Sequence, residues 1–246
     1  MLIVIPIYSK DVALAEKLSE LIATQGGVQD HTCLVVCGLD AKGQIDKVIE
    51  HLGTAFADVK VFQLDNEDAG EWPVPHNHMF ARTVEHLRNT GNREKWYLFG
   101  VDSTPLRPTW LDEMELEYNS NQKPFMGVAL KSPPGGINGD GGEFIAGSAI
   151  YPPDFHRRSL LWQYLTTTEP WDVYLRWEIR PGAHVTEKIV FNWKSENYRY
   201  SPDGRIICDG VGKDSITDPI TKETAVVHGC KDGSLIDLLY KPKPIK

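Results

Sequence analysis

The sequence predicts an α/β fold: a mainly parallel central sheet with helices on both faces, and a mixed C-terminal half. Three observations predict it. Short Ile/Val/Leu-rich runs alternate with segments of helical period through residue 120, the order that builds parallel sheets from βαβ units. The first of these runs is apolar almost throughout, as a strand buried on both faces requires. After residue 120 the order breaks into short strand-like runs, turns rich in glycine and proline, and brief helical stretches.

Residues 1–8 form a near-continuous apolar run and predict the first buried strand. Residues 11–23 follow with Val12, Ala15, Leu18, Leu21 and Ile22 on one helical face, and Gly26-Gly27 stops that helix. Strands are predicted at 32–37 and 59–64, with a helix at 45–52 between them. A third helix spans 76–87, with Met79, Phe80, Val84 and Leu87 on one side. Residues 96–101 predict the fourth strand and 109–118 the fourth helix. Beyond these, 125–130 and 144–151 read as strands, and 155–165 and 171–179 as helical stretches. No repeat or low-complexity linker divides the chain. We expect one domain over 1–246, with a nucleotide-type half (1–120) and an acceptor half (121–246).

Composition bounds the function. The 246 residues carry 34 acidic and 26 basic side chains, a net charge of -8. That balance argues against a broad basic face that coats nucleic acid. It suits an enzyme that recruits a cation to handle an anionic substrate. No apolar run is long enough to span a bilayer, and no secretory leader pattern opens the chain. Cys33, Cys37, Cys208 and Cys230 include no CxxC pair. A reduced, cytoplasmic setting without membrane partners is the expectation.

The chemistry concentrates at a few places. In Trp96-Tyr-Leu-Phe-Gly-Val-Asp102 an apolar run ends at one acid, which the strand delivers to the rim of the sheet, where ligands of open α/β folds bind. Asp102 is a candidate ligand for Mg²⁺ or Mn²⁺, although taken alone an Asp before Pro105 reads first as a turn former. Val226-Val-His-Gly-Cys-Lys231 brings His228 after a short strand, then a glycine that permits close backbone approach, then Lys231 as a point charge for phosphate. His228 is the candidate second metal ligand, and an imidazole favours Mn²⁺ over Mg²⁺.

Pro6-Ile-Tyr-Ser-Lys-Asp11 carries no GxGxxG fingerprint, and no P-loop occurs. Pro6, Tyr8 and Asp11 either line a base pocket, or Pro6 ends the strand and Asp11 complements the helix dipole. The loop before the third helix offers Trp72 as a flat surface beside a ligand and Asn77 as a polar contact. Trp72 as a cap on the core is the alternative. Its His76-Asn-His78 string is not read as a nuclease motif. Asp172, at the start of a helix after Pro170, is the candidate general base, with Glu169 competing for that role. The glycine-rich loop 133–142 suggests either a lid or a hairpin connection. Residues 193–205 interleave aromatics with Lys194, Arg199 and Arg205, a pattern that binds a flexible nucleic-acid segment or a sugar when it is not a solvated hairpin.

Val4-Ile-Pro-Ile-Tyr8, Glu71-Trp-Pro73 with Asn77, Tyr97 to Leu111, Gly147-Ser-Ala-Ile-Tyr-Pro152, Trp171-Asp-Val-Tyr-Leu-Arg176 and His228-Gly-Cys-Lys-Asp-Gly-Ser-Leu235 together resemble GT-A-fold glycosyltransferases. The resemblance is in particular to a group of small ones common in bacteriophages and environmental genomes, and it covers most of the chain. In that fold a DxD-type motif at the end of the fourth strand holds the divalent metal, and a later His often completes the site. The resemblance assigns those roles to Asp102 and His228. Gly100 stands where the first acid would be.

The resemblance implies a metal-dependent transfer of a hexose from a nucleotide-sugar, UDP-glucose or similar, to an acceptor hydroxyl, with Mn²⁺ or Mg²⁺ as cofactor. Hydroxymethylated pyrimidines in phage DNA are one acceptor it suggests, which would call for base extrusion. A glycan or a small molecule is another. A nucleotidyltransferase on a related fold and a catalytically idle nucleotide-sugar-binding module are the rival readings.

Overall fold

The computed structural model describes residues 1–65, 72–131, 142–164, 169–213 and 215–240. The first half runs β1 (Leu2–Ile7), α1 (Val12–Gln25), β2 (Thr32–Cys37), α2 (Asp46–Ala55), β3 (Asp58–Gln63), α3 (Val74–Asn89), β4 (Trp96–Leu98), β5 (Ser103–Pro105) and α4 (Trp110–Asn121). Shorter pieces follow: β6 (Phe125–Gly127), β7 (Ala129–Lys131), β8 (Glu143–Ile145), β9 (Ile150–Tyr151), α5 (Phe155–Arg158), α6 (Trp171–Tyr174) and α7 (Arg176–Ile179). The chain closes with β10 (Ala183–Val185), β11 (Ile189–Phe191), β12 (Ser195–Tyr200), β13 (Ile206–Gly210), β14 (Val226–His228) and α8 (Ser234–Leu239).

Seven strands form the central sheet in the order β10-β6-β9-β4-β1-β2-β3. The pairs among β1, β2, β3 and β4 are parallel, and β9 runs antiparallel to both β4 and β6. Strands from both sides of residue 120 therefore share one sheet. A second sheet has the order β11-β14-β5, and β12-β13 and β7-β8 are hairpins.

The alternation of side chains along β1 explains the two-layered core. Ile3, Ile5 and Ile7 enter one cluster with Leu18, Ile22, Leu52, Trp110 and Ile236. Leu2 and Val4 enter the other with Met79, Phe80, Phe155 and Trp171. Successive residues of a strand point to opposite faces, so a strand covered on both sides must be apolar at every position. Cys33 and Cys37 are buried in the first cluster, which makes them packing residues.

Three expected elements differ. The fourth strand stops at Leu98, not at residue 101. Phe99 still donates its N–H to the Val4 carbonyl at 2.8 Å, but the Gly100 carbonyl then accepts from the Ser103 N–H at 2.9 Å. That turn lifts the chain out of the central sheet and into β5 of the second one. The runs 125–130 and 144–151 each break into two strands. Their inner pieces leave the sheet to pair with each other as β7 and β8. Pro6 does not end its strand, because it lies inside β1 opposite Val36.

Candidate active site

Two turns meet where the central sheet ends and the second sheet begins. The Asp102 carbonyl accepts from the N–H groups of Gly229 and Cys230 at 3.0 and 2.9 Å, which pins the turn after β4 to the turn after β14. The antiparallel register of β14 on β5 sets His228 opposite Ser103. As a result His228 Nδ1 lies 3.3 Å from Asp102 Oδ1 and 2.8 Å from Ser103 Oγ. Residues 126 positions apart in sequence are thus in contact through their side chains. Gly229 makes this approach possible. Its φ is +101°, and a β-carbon there would come within 2.5 Å of the Asn192 carbonyl oxygen.

The end of β1 supplies the facing wall. Tyr8 stacks on His76 with ring centroids 4.7 Å apart. Burial raises the carboxyl of Asp11 above its ordinary range, and the negative charge of Asp102 adds to it, against the pull of Lys10 and Lys231. Burial, Lys10 and Lys231 hold His76 down at about 4, so the ring is neutral near pH 7. Asp11 and His76 thus both feel the charges of Lys10, Asp102 and Lys231. The Lys231 ammonium sits 4.0 Å from the ring centroid of Trp193, a cation–π distance. Phe191 neighbours both that ring and the His228 imidazole, at centroid separations of 6.0 and 5.1 Å.

Asp172 is tied to the turn at Gly147. It is half-buried, and its carboxylate accepts from the backbone N–H of Gly147 at 3.1 Å and of Val173 at 3.0 Å. Burial outweighs those two hydrogen bonds and raises its pKa to about 6. The residue after Gly147 reaches the first cluster, since Ser148 Oγ lies 3.4 Å from Ser103 Oγ. One two-residue turn therefore touches both Asp172 and the Ser103–His228 pair.

The remaining candidates have other partners. Asn77 is fully buried. Its amide donates to the Glu169 carbonyl and accepts from the Trp171 N–H, both at 2.8 Å. It clamps the start of α6, and Phe80 stacks on Trp171 at 3.6 Å beside it. Glu169 is buried in an ion pair with Arg176 at 3.3 Å. Trp72 does not cap the core, for it is 61% exposed. The loop 133–142, except Gly142, and residues 67–71 lie outside the described residues. The stretch 193–205 runs into the β12–β13 hairpin, where Arg199 pairs with Asp209 and Arg205 with Asp203. Lys10, His76 and Ser103 were not singled out from sequence. The fold sets His76 against Tyr8 and Ser103 against His228.

The chemistry of the donors fits a divalent cation that is completed by a substrate. Asp102 and His228 supply one carboxylate and one imidazole, and among the described residues no third His, Cys, Asp or Glu joins them. Mg²⁺-type sites use one or two protein ligands and fill the rest with phosphate oxygens and water. A ligating His normally spends its other ring nitrogen on a hydrogen bond, and His228 Nδ1 has Ser103 Oγ at 2.8 Å.

No family model matches the chain, and no curated protein is significantly similar to it. Solved structures are similar in fold. A crystal structure of an active-site mutant of LgtC superposes with a TM-score of 0.58 at 10% identity, covering 94% of this chain and 87% of that one. The galactosyltransferase LgtC in complex with donor and acceptor sugar analogues gives 0.55 at 11% identity over the same shares. The bifunctional glycosyltransferase WbbM, in its apo form, gives 0.55 at 12% identity over 77% of this chain and 39% of that chain. At such identities the likeness shows the fold: α/β with a mostly parallel central sheet, as in GT-A glycosyltransferase structures. Among the described residues no helix is long and apolar enough to cross a membrane.

Proposed function

We propose that the chain is a metal-dependent glycosyltransferase that moves a hexose from a nucleotide-sugar, UDP-glucose or similar, to an acceptor hydroxyl. The observation that carries the reading is the pairing of Asp102 with His228 at 3.3 Å, at the carboxyl ends of β1 and β4. Ligands of open α/β sheets bind at that edge. Asp102 and His228 would hold Mn²⁺ or Mg²⁺, which neutralises charge on a departing diphosphate. Lys231, three residues after His228, adds positive charge, while Tyr8, buried under His76, braces the end of β1.

Asp172 takes the base role in a reaction that inverts the anomeric carbon. The acceptor oxygen attacks that carbon, the bond to the diphosphate oxygen breaks, and the acceptor proton passes to the Asp172 carboxylate. A base with a pKa of about 6 is ionised at neutral pH yet basic enough to help. Glu169, buried against Arg176, serves as scaffold in this reading.

The acceptor we favour is a glycan or small molecule. The arginines of 193–205 that suggested DNA are paired with Asp209 and Asp203, and the net charge is -8. The test is a screen of UDP-sugars with Mn²⁺ against simple glycans, plain DNA and hydroxymethylated DNA, with products read by mass spectrometry. Transfer that vanishes in EDTA supports the reading. Transfer to modified DNA alone would reverse the choice of acceptor. Binding of UDP-sugar with no release of UDP would mean an idle binding module.

A further inference from the structure

We propose that Trp193 is a positioning residue whose indole holds the Lys231 ammonium ready for a phosphate group of the ligand. The inference rests on the donor reading above for its ligand, and adds the residue that aims the cation. In the sequence Trp193 opens the stretch 193–205, where aromatics alternate with basic residues. Arg199 and Arg205 of that stretch are spent on Asp209 and Asp203. Trp193 instead meets the turn after β14.

The backbone fixes the place of the ring. Parallel pairing of β11 with β14 sets Phe191 opposite His228. Beyond that pair the Asn192 N–H donates to the His228 carbonyl at 2.8 Å, and the Trp193 carbonyl accepts from the Ile216 N–H at 2.9 Å. A β-carbon on Gly229 would lie 3.2 Å from Trp193 Cα, so the two segments pack backbone against backbone. The indole is half-buried and lies within 9° of parallel to the Phe191 ring.

Lys231 is held at both ends. Its N–H donates to the Gly229 carbonyl at 3.0 Å, and its ammonium sits 4.0 Å from the Trp193 ring centroid. The side chain is exposed, and among the described residues no carboxylate pairs with it. A free lysine stem rotates widely, and a ligand that captures it must freeze those rotations. An aromatic face that attracts the ammonium freezes them in advance. A carboxylate would also fix the lysine, but it would cancel the charge. The indole leaves that charge whole. From this pose the charge is already felt by Asp11 and by His76, which stacks on Tyr8. The lysine therefore serves a ligand from the ring and has no need to leave it.

The test is a double-mutant cycle of W193L and K231M, with UDP and inorganic pyrophosphate as probes, both with Mn²⁺, by calorimetry. W193L should weaken binding by about 2- to 30-fold, the range of a cation–π contact, with W193F in between. In the K231M background W193L should change nothing. NMR of the ligand-free protein supplies a second readout, which stands if W193L folds poorly. The Lys231 Cε protons should be shifted upfield by the indole in the wild type and less so in W193F. Equal weakening by W193L in both backgrounds means a merely structural ring and overturns the inference. Unchanged or tighter binding in W193L overturns it too, as does a wild-type Lys231 without the upfield shift. In those cases UDP binding by the wild type leaves the donor reading standing. Coupling seen with pyrophosphate in a protein that binds no UDP upholds the inference and removes the nucleotide-sugar reading. A protein that binds neither probe overturns both.

Discussion

Gly100 faces the Asp102 carboxylate so closely that a β-carbon on it would lie 2.8 Å from Oδ1 and 3.4 Å from His228 Cε1. The place where a DxD motif carries its first acid is closed to any side chain in this arrangement. Introducing that acid, G100D, should therefore displace Asp102 and weaken Mn²⁺ binding. EPR titration of Mn²⁺ checks this, and tighter binding would contradict it.

Asp102 holds the two turns together through its backbone carbonyl, so its side chain can be changed without breaking that contact. D102N should leave the melting temperature within a few degrees of wild type. It should lower transfer by about 100-fold or more, the usual scale for losing one charge-stabilising group. Full transfer in D102N would remove the metal assignment.

The pKa of about 6 at Asp172 predicts that kcat/KM rises with pH through that value and then levels. D172N should abolish the rise along with most of the activity. The sign for stability is opposite. Between 3.8 and about 6 the folded protein keeps a proton that the unfolded chain has lost, so this group's contribution to stability falls as pH rises through that window. A stability–pH profile by chemical denaturation should lose this falling component in D172N.

His76 works the other way. Its pKa is lowered from 6.5 to about 4, so the unfolded chain binds the extra proton between those values. Its contribution to stability is complete above 6.5 and is lost as pH falls towards 4. H76Q should flatten that acid-side loss, as measured by the same denaturation series.

Asn77 and Glu169 are predicted to matter for folding more than for chemistry. N77A leaves the buried Trp171 N–H unpaired and should cost roughly 2–4 kcal/mol. E169A removes the carboxylate paired with the buried Arg176 guanidinium, leaving its bond to the Val173 carbonyl, and should cost about 3–5 kcal/mol. Urea unfolding measures both. An E169A protein of wild-type stability and no activity would return Glu169 to the catalytic role.

The elements of the first half were legible because each carries its own period. The apolar run of β1 and the helical face of α1 need no distant partner to be recognised, and their predicted bounds differ from the observed ones by a few residues. The C-terminal half was less so. Strands of two or three residues, such as β9 and β6, contain too few positions to show a period, and their pairing is decided by what the sheet edge offers. The end of β4 was misread for a related reason. Phe99 and Val101 are as apolar as the strand before them, but the Gly100–Ser103 hydrogen bond turns the chain away.

The sequence by itself determined the α/β class, the alternation of strands and helices up to α4 apart from β5, and the candidacy of Asp102, His228 and Asp172. Those depend on local pattern and on which side chains can bear charge. The tertiary structure alone decided that His228 meets Asp102, that His76 stacks on Tyr8 and Lys231 on Trp193, and that Asn77 and Glu169 brace α6. Such contacts join residues far apart along the chain, and their distances follow from sheet register and the packing of two clusters around β1. No local period encodes that register, because it is fixed only when all the strands have found their neighbours.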